Sequence, residues 1–396
     1  MKILFVHNFY ISTAPSGEDI VFKDELELLK KKGIEVITYT KYNDEILSYR
    51  FKNKLQLPIN IVWSLKSYKE LKSIIKKEKP DLCHFHNIFY TISPSAYYAC
   101  KDAGIPVVQT LHNYRIFCVN GLLFRNGKTC EDCIGRIPYN AFLNGCYRNS
   151  RTSSLVMAFM EYLHRIIGTW NTKIDAFIIL TEFSKSKFIK ASLPAEKIFV
   201  KPNFIKNNLE PHFNFKKFVL FVGRLTSEKG VMTLLKSWKK IDSKGIVLKI
   251  IGDGSLKKDI EEFIIKHKLE NVKICGYLPW EEVIENIKNS MFLFFTSECY
   301  ETFGKPVIEA FACGKPIIAS RLGVMEEIVE DGKTGLFFEP GNPDDLALKI
   351  KWMLDNTNAS IEMGKNARAE FEAKYTFEKN FEILIGIYQK AIENNR

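Results

Sequence analysis

The stretch FVLFVGRLTSEKGVMTLLKSWKK, residues 218–240, joins a strand pattern to a helix pattern through a short polar turn. Its first five residues form an apolar run, as in a strand buried within a sheet. Its last ten residues carry apolar side chains on one helical face. Units of this kind build parallel sheets, and the turn after the strand lies at the end of the sheet where ligands bind.

The turn after this strand carries two cations. Arg224 follows Gly223, and Lys229 precedes Gly230 where the helix begins. A guanidinium offers paired planar donors and an ammonium offers a point charge, and both would lie beside the positive end of the helix dipole. The pattern is typical of a cradle for a diphosphate, with an ordinary solvated turn as the alternative.

Strand and helix patterns alternate along the whole chain. Apolar runs that predict buried strands stand at residues 2–6, 34–40, 81–86, 106–112 and 176–180, and again at 218–223, 246–252, 272–277, 291–297 and 315–320. Helical patterns separate them, and Gly33 predicts the end of the first helix. This alternation predicts an α/β fold with parallel sheets covered by helices on both faces.

A break in the pattern divides the chain. Residues 201–217 contain two prolines and several asparagines, which predicts a linker. A length of 396 residues is sufficient for two domains. We therefore expect two Rossmann-like, doubly wound domains in tandem, residues 1–203 and 204–375, with ligands in a cleft between two facing sheets.

The composition is typical of a folded, soluble protein. Apolar residues make up 46% of the chain and charged residues 26%, and no run reaches the ~18 apolar residues of a spanning helix. The N-terminal residues predict a core strand, because no small-residue cleavage site of a signal peptide follows them. A cytoplasmic location is expected.

The net charge of +11 resides in the first half. Residues 1–203 contain 29 Lys and Arg against 18 Asp and Glu, and the remainder contains 28 of each. The densest segment, from Arg50 to Lys79, interleaves cations with Trp, Leu and Ile, which suits a helix on an anionic bilayer or an ordinary amphipathic helix. No base-reading motif accompanies this charge, so a nucleic-acid partner is not predicted. Association with the inner membrane leaflet through the basic domain is expected instead.

Two carboxylates stand eight positions apart in SECYETFGKPVIEAFACGKPIIAS, residues 297–320. Glu301 lies in the loop after a predicted strand, and Pro306 suits the first turn of the helix that carries Glu309. Backbone amides are expected at the same site from Thr302, Phe303 and Gly304. Carboxylates accept hydrogen bonds from sugar hydroxyls and amides bind phosphate oxygens, although two surface acids are the alternative.

Together these motifs resemble family 4 of the retaining glycosyltransferases, which have the GT-B fold. The resemblance rests on residues 223–230, 301–309 and 312–316, and it extends over essentially the whole chain. It implies that the C-terminal helix, residues 376–396, crosses back onto the first domain. It also implies that the donor is a nucleotide sugar.

The resemblance assigns roles to the matching residues. Those matching Arg224 and Lys229 bind the donor diphosphate in the family, with Gly223 in the same motif. The residue matching Glu309 holds the ribose hydroxyls, and the one matching Glu301 lies beside the transferred sugar. The amides of the loop before the helix, at residues 302–304, are expected to touch the donor.

In the first half the resemblance adds two positions. The loop of Pro15 and Gly17 matches a glycine-rich loop that approaches the donor, although only one glycine of the usual pair remains. His112 matches a histidine that lines the active site near the transferred sugar, whereas a lone histidine at a strand end is otherwise more often structural. His84 and His86 share one face of a strand, where site-lining and core roles both stay open.

Four of the nine cysteines cluster in a loop-rich span with the order C-x11-C-x2-C-x12-C. They are Cys118, Cys130, Cys133 and Cys146. Such a set predicts a structural zinc site, with free thiols or packing residues as the alternative, and a subset of family 4 enzymes looks similar here. The apolar helix predicted at residues 153–170 either meets a lipid-linked acceptor or packs against the sheet.

Residues and resemblance together predict sugar transfer from a UDP- or GDP-type donor to a glycan or lipid-linked acceptor, as in surface polysaccharide synthesis. The expected catalysis is electrostatic stabilisation of the leaving diphosphate by Arg224 and Lys229, with His112 and Glu301 beside the sugar. No Asp-x-Asp follows a strand, so no catalytic metal or other cofactor is expected. A nucleotide-sugar epimerase, a soluble disaccharide or sugar-phosphate synthase, and a non-enzymatic binder stay open.

Overall fold

The computed structural model describes residues 1–10, 16–48, 51–206 and 209–395. Pro15 of the loop that matches the glycine-rich loop and Arg50 of the basic segment lie outside the described residues. Asn207 and Asn208 of the expected linker also lie outside them. For residues 45, 47, 48 and 51–55 only the backbone is described. The chain divides into two compact units. The first unit comprises Met1–Leu123, Glu131–Asn203 and Phe377–Arg396, and the second comprises Phe124–Cys130 and Phe204–Thr376.

The first unit is built on a parallel sheet. Strands in residues 1–200 are β1 (Lys2–Phe9), β2 (Glu35–Tyr42), β3 (Leu82–Phe85), β4 (Val107–Thr110), β5 (Phe124–Arg125), β6 (Lys128–Thr129), β7 (Ala176–Ile179) and β8 (Ile198–Val200). Six of them form a sheet in the order β2-β1-β3-β4-β7-β8, with all neighbours parallel. The strands β5 and β6 form a separate antiparallel hairpin, which belongs to the second unit.

Helices connect these strands. They are α1 (Gly17–Lys31), α2 (Phe51–Val62), α3 (Leu65–Glu78), α4 (Ser95–Lys101), α5 (Tyr139–Leu143), α6 (Arg151–Ile166), α7 (Thr169–Thr172) and α8 (Glu182–Lys190). A capping box begins α1, in which Ser16 and Asp19 each accept the other's backbone N–H. As predicted, Gly33 follows the end of this helix with a positive φ of 75°.

Two predicted helices are each divided in the structure. The basic segment forms α2 and α3, and Ser64 begins the second of them by accepting a hydrogen bond from the Ser67 amide. The segment 153–170 forms α6 and α7. One face of α6 packs into the core through Met157 and Met160, while the opposite face leaves Leu155 half exposed. The buried face of α6 lies in a cluster with Ile61 of α2 and Ala141 of α5, whereas packing against the sheet stays a prediction.

The second unit repeats the architecture. Its remaining strands are β9 (Phe218–Val222), β10 (Val247–Ile251), β11 (Val272–Gly276), β12 (Leu293–Phe295), β13 (Ile317–Ser320) and β14 (Gly335–Phe338). Its helices are α9 (Val231–Trp238), α10 (Lys257–Lys266), α11 (Trp280–Asn289), α12 (Lys305–Ala312), α13 (Met325–Ile328), α14 (Pro343–Asp355) and α15 (Thr357–Lys374). The sheet order is β11-β10-β9-β12-β13-β14, again all parallel. The last helix of the chain, α16 (Phe377–Asn394), belongs to the first unit.

The C-terminal helix completes the core of the first unit. Leu384, Ile387 and Tyr388 of α16 are buried in one cluster with Ile3 and Phe5 of β1. Burying a side chain of this size contributes about 1.5–3 kcal/mol, so the helix stabilises the sheet that it covers. None of the helices formed by the described residues combines the length and apolar character needed to cross a membrane.

The predicted α/β architecture with two parallel sheets is confirmed. Each of the ten apolar runs contains a strand. One edge strand of each sheet, β8 in the first and β14 in the second, was not predicted. These strands are three and four residues long.

Candidate functional site

The order of strands in the second unit creates a crevice after β9. This strand comes first along the chain among the six strands of the parallel sheet, yet it lies in the middle of that sheet with β10 on one side and β12 on the other. Connections from β9 and β12 therefore leave in opposite directions, and a ligand site is expected beyond their carboxyl ends. The predicted motifs at residues 223–230 and 301–309 follow these two strands.

Backbone contacts hold the two loops together. The Thr296 hydroxyl donates to the Lys229 carbonyl at 2.8 Å, and the Glu298 amide donates to the Glu228 carbonyl at 2.8 Å. Gly230 has a φ of 64°, and a Cβ there would come 1.9 Å from the Thr296 carbonyl oxygen. Only glycine meets both conditions, so the sequence Lys-Gly fixes the lysine against the loop after β12.

The ammonium of Lys229 forms an ion pair with the carboxylate of Glu301. Their side chains are 18% and 19% exposed, and Ser297 donates to the same carboxylate oxygen at 2.6 Å. Burial alone would lower the pKa of Lys229, but Glu301 outweighs it and raises that pKa. Burial alone would raise the pKa of Glu301, but Lys229 and Ser297 hold it below its usual value. Both groups are therefore charged at neutral pH.

Arg224 adds an exposed positive charge beside this pair. Its side chain is 63% exposed and its guanidinium lies 3.3 Å from the Glu228 carboxylate. Thr226 also donates to that carboxylate, at 2.7 Å. The Arg224 charge is close enough to help lower the pKa of Glu301. Because an exposed arginine changes rotamer at low cost, it is available to an anionic ligand.

The second predicted carboxylate is held by a tryptophan. Glu309 lies in α12 and is 5% exposed, and it accepts a hydrogen bond from the indole Nε1–H of Trp280 at 2.9 Å. Trp280 is the first residue of α11. The hydrogen bond from the indole fixes the orientation of the Glu309 carboxylate, which suits an acceptor for ligand hydroxyls.

The other donor-side positions surround these charges. Gly223 follows β9, and its amide donates to the Ile251 carbonyl at 3.0 Å. Thr302 is partly exposed, whereas Phe303 is buried with its ring centroid 6.0 Å from that of Tyr375. Gly304 precedes α12, and a Cβ there would lie 2.8 Å from the end of a methionine side chain. The roles predicted for these backbone amides stay predictions.

Two further predicted residues lie in the first unit. Gly17 is the exposed first residue of α1, and an added Cβ would meet nothing within 4 Å, so packing does not require glycine there. His112 follows β4 and helps to line a small pocket of ≈ 40 Å³ with Glu18, Thr110 and Arg115. Its predicted role beside the sugar stays a prediction.

Burial places the other two histidines in the core. His84 and His86 are 0% and 2% exposed. His84 binds the Tyr388 and Thr110 hydroxyls through its two ring nitrogens, both at 2.7 Å. His86 Nδ1 lies 2.9 Å from His112 Nε2. One histidine is therefore structural, whereas the other connects to the pocket.

The four cysteines of the predicted zinc set are divided between the two units. Cys118, Cys133 and Cys146 belong to the first unit, whereas Cys130 follows the β5–β6 hairpin. Tetrahedral zinc with Zn–S bonds of about 2.3 Å places thiolates about 3.8 Å apart. Among the described residues, the one group of three or more ligand atoms within 4.8 Å of one another contains none of these thiols. Burial also raises the pKa of Cys118 to about 12. Zinc at these four cysteines stays a prediction that metal analysis of purified protein would test.

The sequence did not identify three partners in these sites. Ser297 lies four residues before Glu301, within the segment already singled out, and its hydroxyl was the available signal. Trp280 follows the Leu-Pro pair after β11 and gave no local signal. Glu25, which lies 3.1 Å from His86, is on α1, whose sequence has an ordinary amphipathic pattern.

Comparison with protein families gives two adjoining matches. The model described as glycosyltransferase family 4 matches residues 17–208, and the model described as glycosyl transferases group 1 matches residues 205–370. The second match includes the whole site built from the loops after β9 and β12. Together the two matches cover most of both units.

Curated relatives carry matching names. A glycosyltransferase of Methanocaldococcus jannaschii is 29% identical over 388 residues, 96% of this chain and 95% of the relative. The sulfoquinovosyl transferase of Arabidopsis thaliana is 31% identical over 367 residues, 90% and 67% of the two chains. A capsular polysaccharide biosynthesis glycosyltransferase of Staphylococcus aureus is 24% identical over 385 residues, 95% of each.

Solved structures share the fold. The sucrose-phosphate synthase of Thermosynechococcus elongatus has a TM-score of 0.71 at 18% identity, with 99% of each chain covered. The Anabaena protein HepE in complex with UDP has a TM-score of 0.66 at 19% identity, covering 98% of this chain and 100% of that one, and it has also been solved with UDP-glucose. The fold is GT-B, and the chain belongs to the group 1 glycosyl transferases of glycosyltransferase family 4.

Proposed function

We propose that this glycosyltransferase transfers a sugar from a nucleoside diphosphate donor to an acceptor hydroxyl with retention of anomeric configuration. The observation that carries the donor assignment is the Lys229–Glu301 pair at the carboxyl ends of β9 and β12. It combines a partly buried cation for phosphate oxygens with a carboxylate for sugar hydroxyls in one crevice. The catalytic residues in this proposal are Arg224, Lys229 and Glu301, with His112 beside the sugar.

The cations act on the leaving group. As the glycosidic C–O bond breaks, its electron pair passes to the phosphate oxygen, and the diphosphate gains negative charge. Lys229 remains protonated because Glu301 raises its pKa despite burial, and Arg224 is exposed and able to approach. The amino end of α9 adds a partial positive charge at the same turn. These groups stabilise the transition state more than the ground state.

Retention follows from attack on the face that the diphosphate leaves. The acceptor oxygen forms the new bond to the anomeric carbon, and its proton passes to the leaving phosphate. This route requires no protein nucleophile or protein base. It also requires no divalent cation, because two side-chain cations already meet the diphosphate, so transfer is proposed to be independent of metal.

The donor is proposed to be of the UDP or GDP type. HepE, which shares the fold, binds UDP and UDP-glucose in its solved complexes, and this favours UDP as the first donor to test. Glu309, held by Trp280 at 2.9 Å, is proposed to accept hydrogen bonds from the ribose hydroxyls. Gly223 and the amides of residues 302–304 are proposed to bind the remaining donor oxygens.

The acceptor is proposed to be a glycan or lipid-linked glycan in surface polysaccharide synthesis. The Staphylococcus relative is named for capsular polysaccharide biosynthesis, and the excess positive charge of residues 1–203 suits phosphate-bearing acceptors. Such acceptors are held at a membrane, so the enzyme is proposed to work at its cytoplasmic face.

One segment of the first unit, residues 136–166, suits that location. On α5, on α6 and in the adjoining segments, apolar side chains are at least half exposed: Ile137, Tyr139, Leu143, Leu155, Phe159 and Ile166. Arg136, Arg148 and Arg151 are exposed in the same region, whereas its one acid between residues 133 and 168, Glu161, is buried. We call this set the α5–α6 face. Apolar side chains with arginines and without exposed acids match an anionic bilayer surface.

The donor preference and the anomeric configuration of the product test the proposed reaction. Thermal-shift titration with UDP-, GDP-, ADP- and dTDP-sugars should give stabilisation by one class of base. With that donor and a lipid-linked acceptor, the anomeric coupling in the product's NMR spectrum should match the donor configuration, and EDTA should leave the rate unchanged. Inversion would disprove the proposed stereochemistry. Donor turnover without any acceptor would instead support an epimerase.

Vesicle flotation tests the membrane surface. The wild type should float with vesicles containing phosphatidylglycerol and much less with pure phosphatidylcholine. Leu155→Glu with Phe159→Glu should abolish flotation without changing donor binding. Ile265→Glu with Leu348→Glu is the matched control, because those side chains are also exposed but lie on the second unit. Equal flotation of both variants would contradict the α5–α6 face as the docking surface.

A further inference from the structure

One oxygen of the Glu301 carboxylate meets three donors. Besides the Lys229 ammonium, the Ser297 hydroxyl donates to Oε1 at 2.6 Å, and the Cys299 thiol lies against the same oxygen at 3.8 Å. Ser297 and Cys299 are 4% and 3% exposed. Burial raises the pKa of the Cys299 thiol well above its usual value, so the thiol is neutral, and it is a weak donor. The Ser297 hydroxyl is therefore the stronger of the two neutral donors.

The ammonium has two tasks in the proposed function. Lys229 pairs with Glu301 before the donor binds, and it meets the diphosphate once the donor has bound. An ammonium carries a single charge, so its attraction to Glu301 falls when it turns to a diphosphate. Glu301, whose side chain is 19% exposed, then needs another donor, because a poorly solvated carboxylate without a partner is costly.

Backbone contacts hold Ser297 where it can supply that donor. The Ser320 hydroxyl, at the end of β13, donates to the Ser297 carbonyl at 2.6 Å, and Ser320 is 1% exposed. The hydroxyl of the preceding residue, Thr296, donates to the Lys229 carbonyl at 2.8 Å. Neither contact involves the ammonium. The loop after β12 is therefore expected to keep the Ser297 hydroxyl against Glu301 when the ammonium turns to the ligand.

We propose that Ser297 is a positioning residue that holds the Glu301 carboxylate in place and ionised while the Lys229 ammonium shifts from that carboxylate toward the donor diphosphate. No covalent bond forms or breaks in this step, and no proton changes its atom. The proposal rests on the proposed function for the diphosphate ligand. The contact between Ser297 and Glu301 itself comes from the structure of the second unit alone.

The charges around the carboxylate are consistent with this role. Burial alone would raise the pKa of Glu301, but Lys229, the Ser297 hydroxyl and Arg224 together hold it below its usual value. Arg224 also pairs with Glu228, at 3.3 Å, and in the proposed function it moves to the diphosphate as well. Ser297 is thus the partner of Glu301 in this set that the incoming anion does not attract.

Carbon-13 NMR of glutamate side chains tests the first part of the proposal, and Glu301→Gln identifies the resonance. The pKa of Glu301 should be higher in Ser297→Ala than in the wild type, because a donor to the charged form is removed. Ser290→Ala is the matched control, since it also removes a buried hydroxyl from the second unit, one that donates to the Ile287 carbonyl at 2.8 Å. The control should leave the pKa of Glu301 unchanged. An unchanged pKa in Ser297→Ala would overturn the proposal.

Calorimetry with inorganic diphosphate at neutral pH tests the second part. Ser297→Ala should weaken binding by about threefold to tenfold, because the carboxylate then competes more strongly for the Lys229 ammonium. Glu301→Gln should bind diphosphate at least as tightly as wild type, since its lysine is no longer shared. In the Glu301→Gln background, Ser297→Ala should change the affinity by less than about twofold. Ser290→Ala should bind like the wild type.

The other outcomes are decisive as well. An equal loss of affinity from Ser297→Ala in both backgrounds would mean that the hydroxyl contacts the diphosphate itself, and the positioning role would be wrong. Weaker binding by Glu301→Gln than by the wild type would contradict the sharing of Lys229. If neither inorganic diphosphate nor UDP binds the wild type, the proposed function fails, whereas the carboxyl pKa of the ligand-free protein still decides whether Ser297 supports the charge of Glu301.

Discussion

Replacing Lys229 with methionine removes the cation at the donor site while keeping the length of the side chain. A hydrogen bond to a charged group contributes about 1.5–3 kcal/mol when its partner is otherwise solvated. Each 1.4 kcal/mol changes a dissociation constant about tenfold. Because Lys229 is already shared with Glu301, we expect the lower part of this range. The Kd for the preferred nucleoside diphosphate should therefore rise about tenfold to thirtyfold.

The same substitution leaves Glu301 without its ammonium partner. The Ser297 hydroxyl still donates to that carboxylate at 2.6 Å, and 19% of the side chain is exposed. We therefore expect a loss of only about 1–2 kcal/mol in the free energy of unfolding, below the cost of stranding a fully buried charge. Transfer should fall further than binding, because charge on the diphosphate increases in the transition state.

Isothermal titration calorimetry with UDP and GDP, together with urea unfolding, measures both quantities. Lys240→Met is the control, since Lys240 pairs with Asp344 on the surface, where the two side chains are 43% and 74% exposed. This control should change stability by less than about 1 kcal/mol and leave nucleotide binding unchanged. If Lys229→Met binds the nucleotide as tightly as wild type, the diphosphate does not meet this lysine, and the donor-site assignment is wrong.

Three other predictions concern single contacts. Trp280→Phe removes the donor that orients Glu309 and should weaken UDP by about threefold to tenfold, with inorganic diphosphate unaffected; calorimetry with both ligands checks this. Gly230→Ala should cost over about 2 kcal/mol in urea unfolding because its Cβ would meet backbone, whereas Gly245→Ala, also at positive φ but with open space, should cost about 1 kcal/mol. The pKa of Glu25 is depressed from its usual 4.5, so its stabilising contribution is present above that pH and lost below it. The double variant Glu25→Leu with Lys201→Met, its ion-pair partner, should therefore lose less free energy of unfolding than wild type when the pH is lowered from about 5 to about 3.

Most of the fold could be predicted because the central strands are buried on both faces and read as apolar runs. The edge strand β8, Ile198–Val200, has three residues and is partly exposed, so its pattern is weak. The division between α2 and α3 depends on the cap at Ser64. A cap is a local signal, but it is masked here by a helical pattern on both sides.

The candidate site could likewise be predicted only in part. Lys229 and Glu301 lie in motifs whose residue types already indicate phosphate and sugar chemistry. By contrast, the contacts that run from Lys201 through Glu25 and His86 to His112 bring together residues that follow β8, belong to α1 and follow β3 and β4. No short window of sequence contains them. Their contact depends on the order of strands, which residue patterns alone did not establish.

The position of α16 in the first unit has a consequence for biosynthesis. The core around Ile3 and Phe5 includes Leu384 and Tyr388, almost the full chain length away. The ribosome makes the first sheet long before it makes the helix that covers it, so that apolar surface must wait through synthesis of the whole second unit. We expect nascent chains lacking α16 to need chaperone protection, since loop closure over such a separation is slow and exposed sheet surface aggregates.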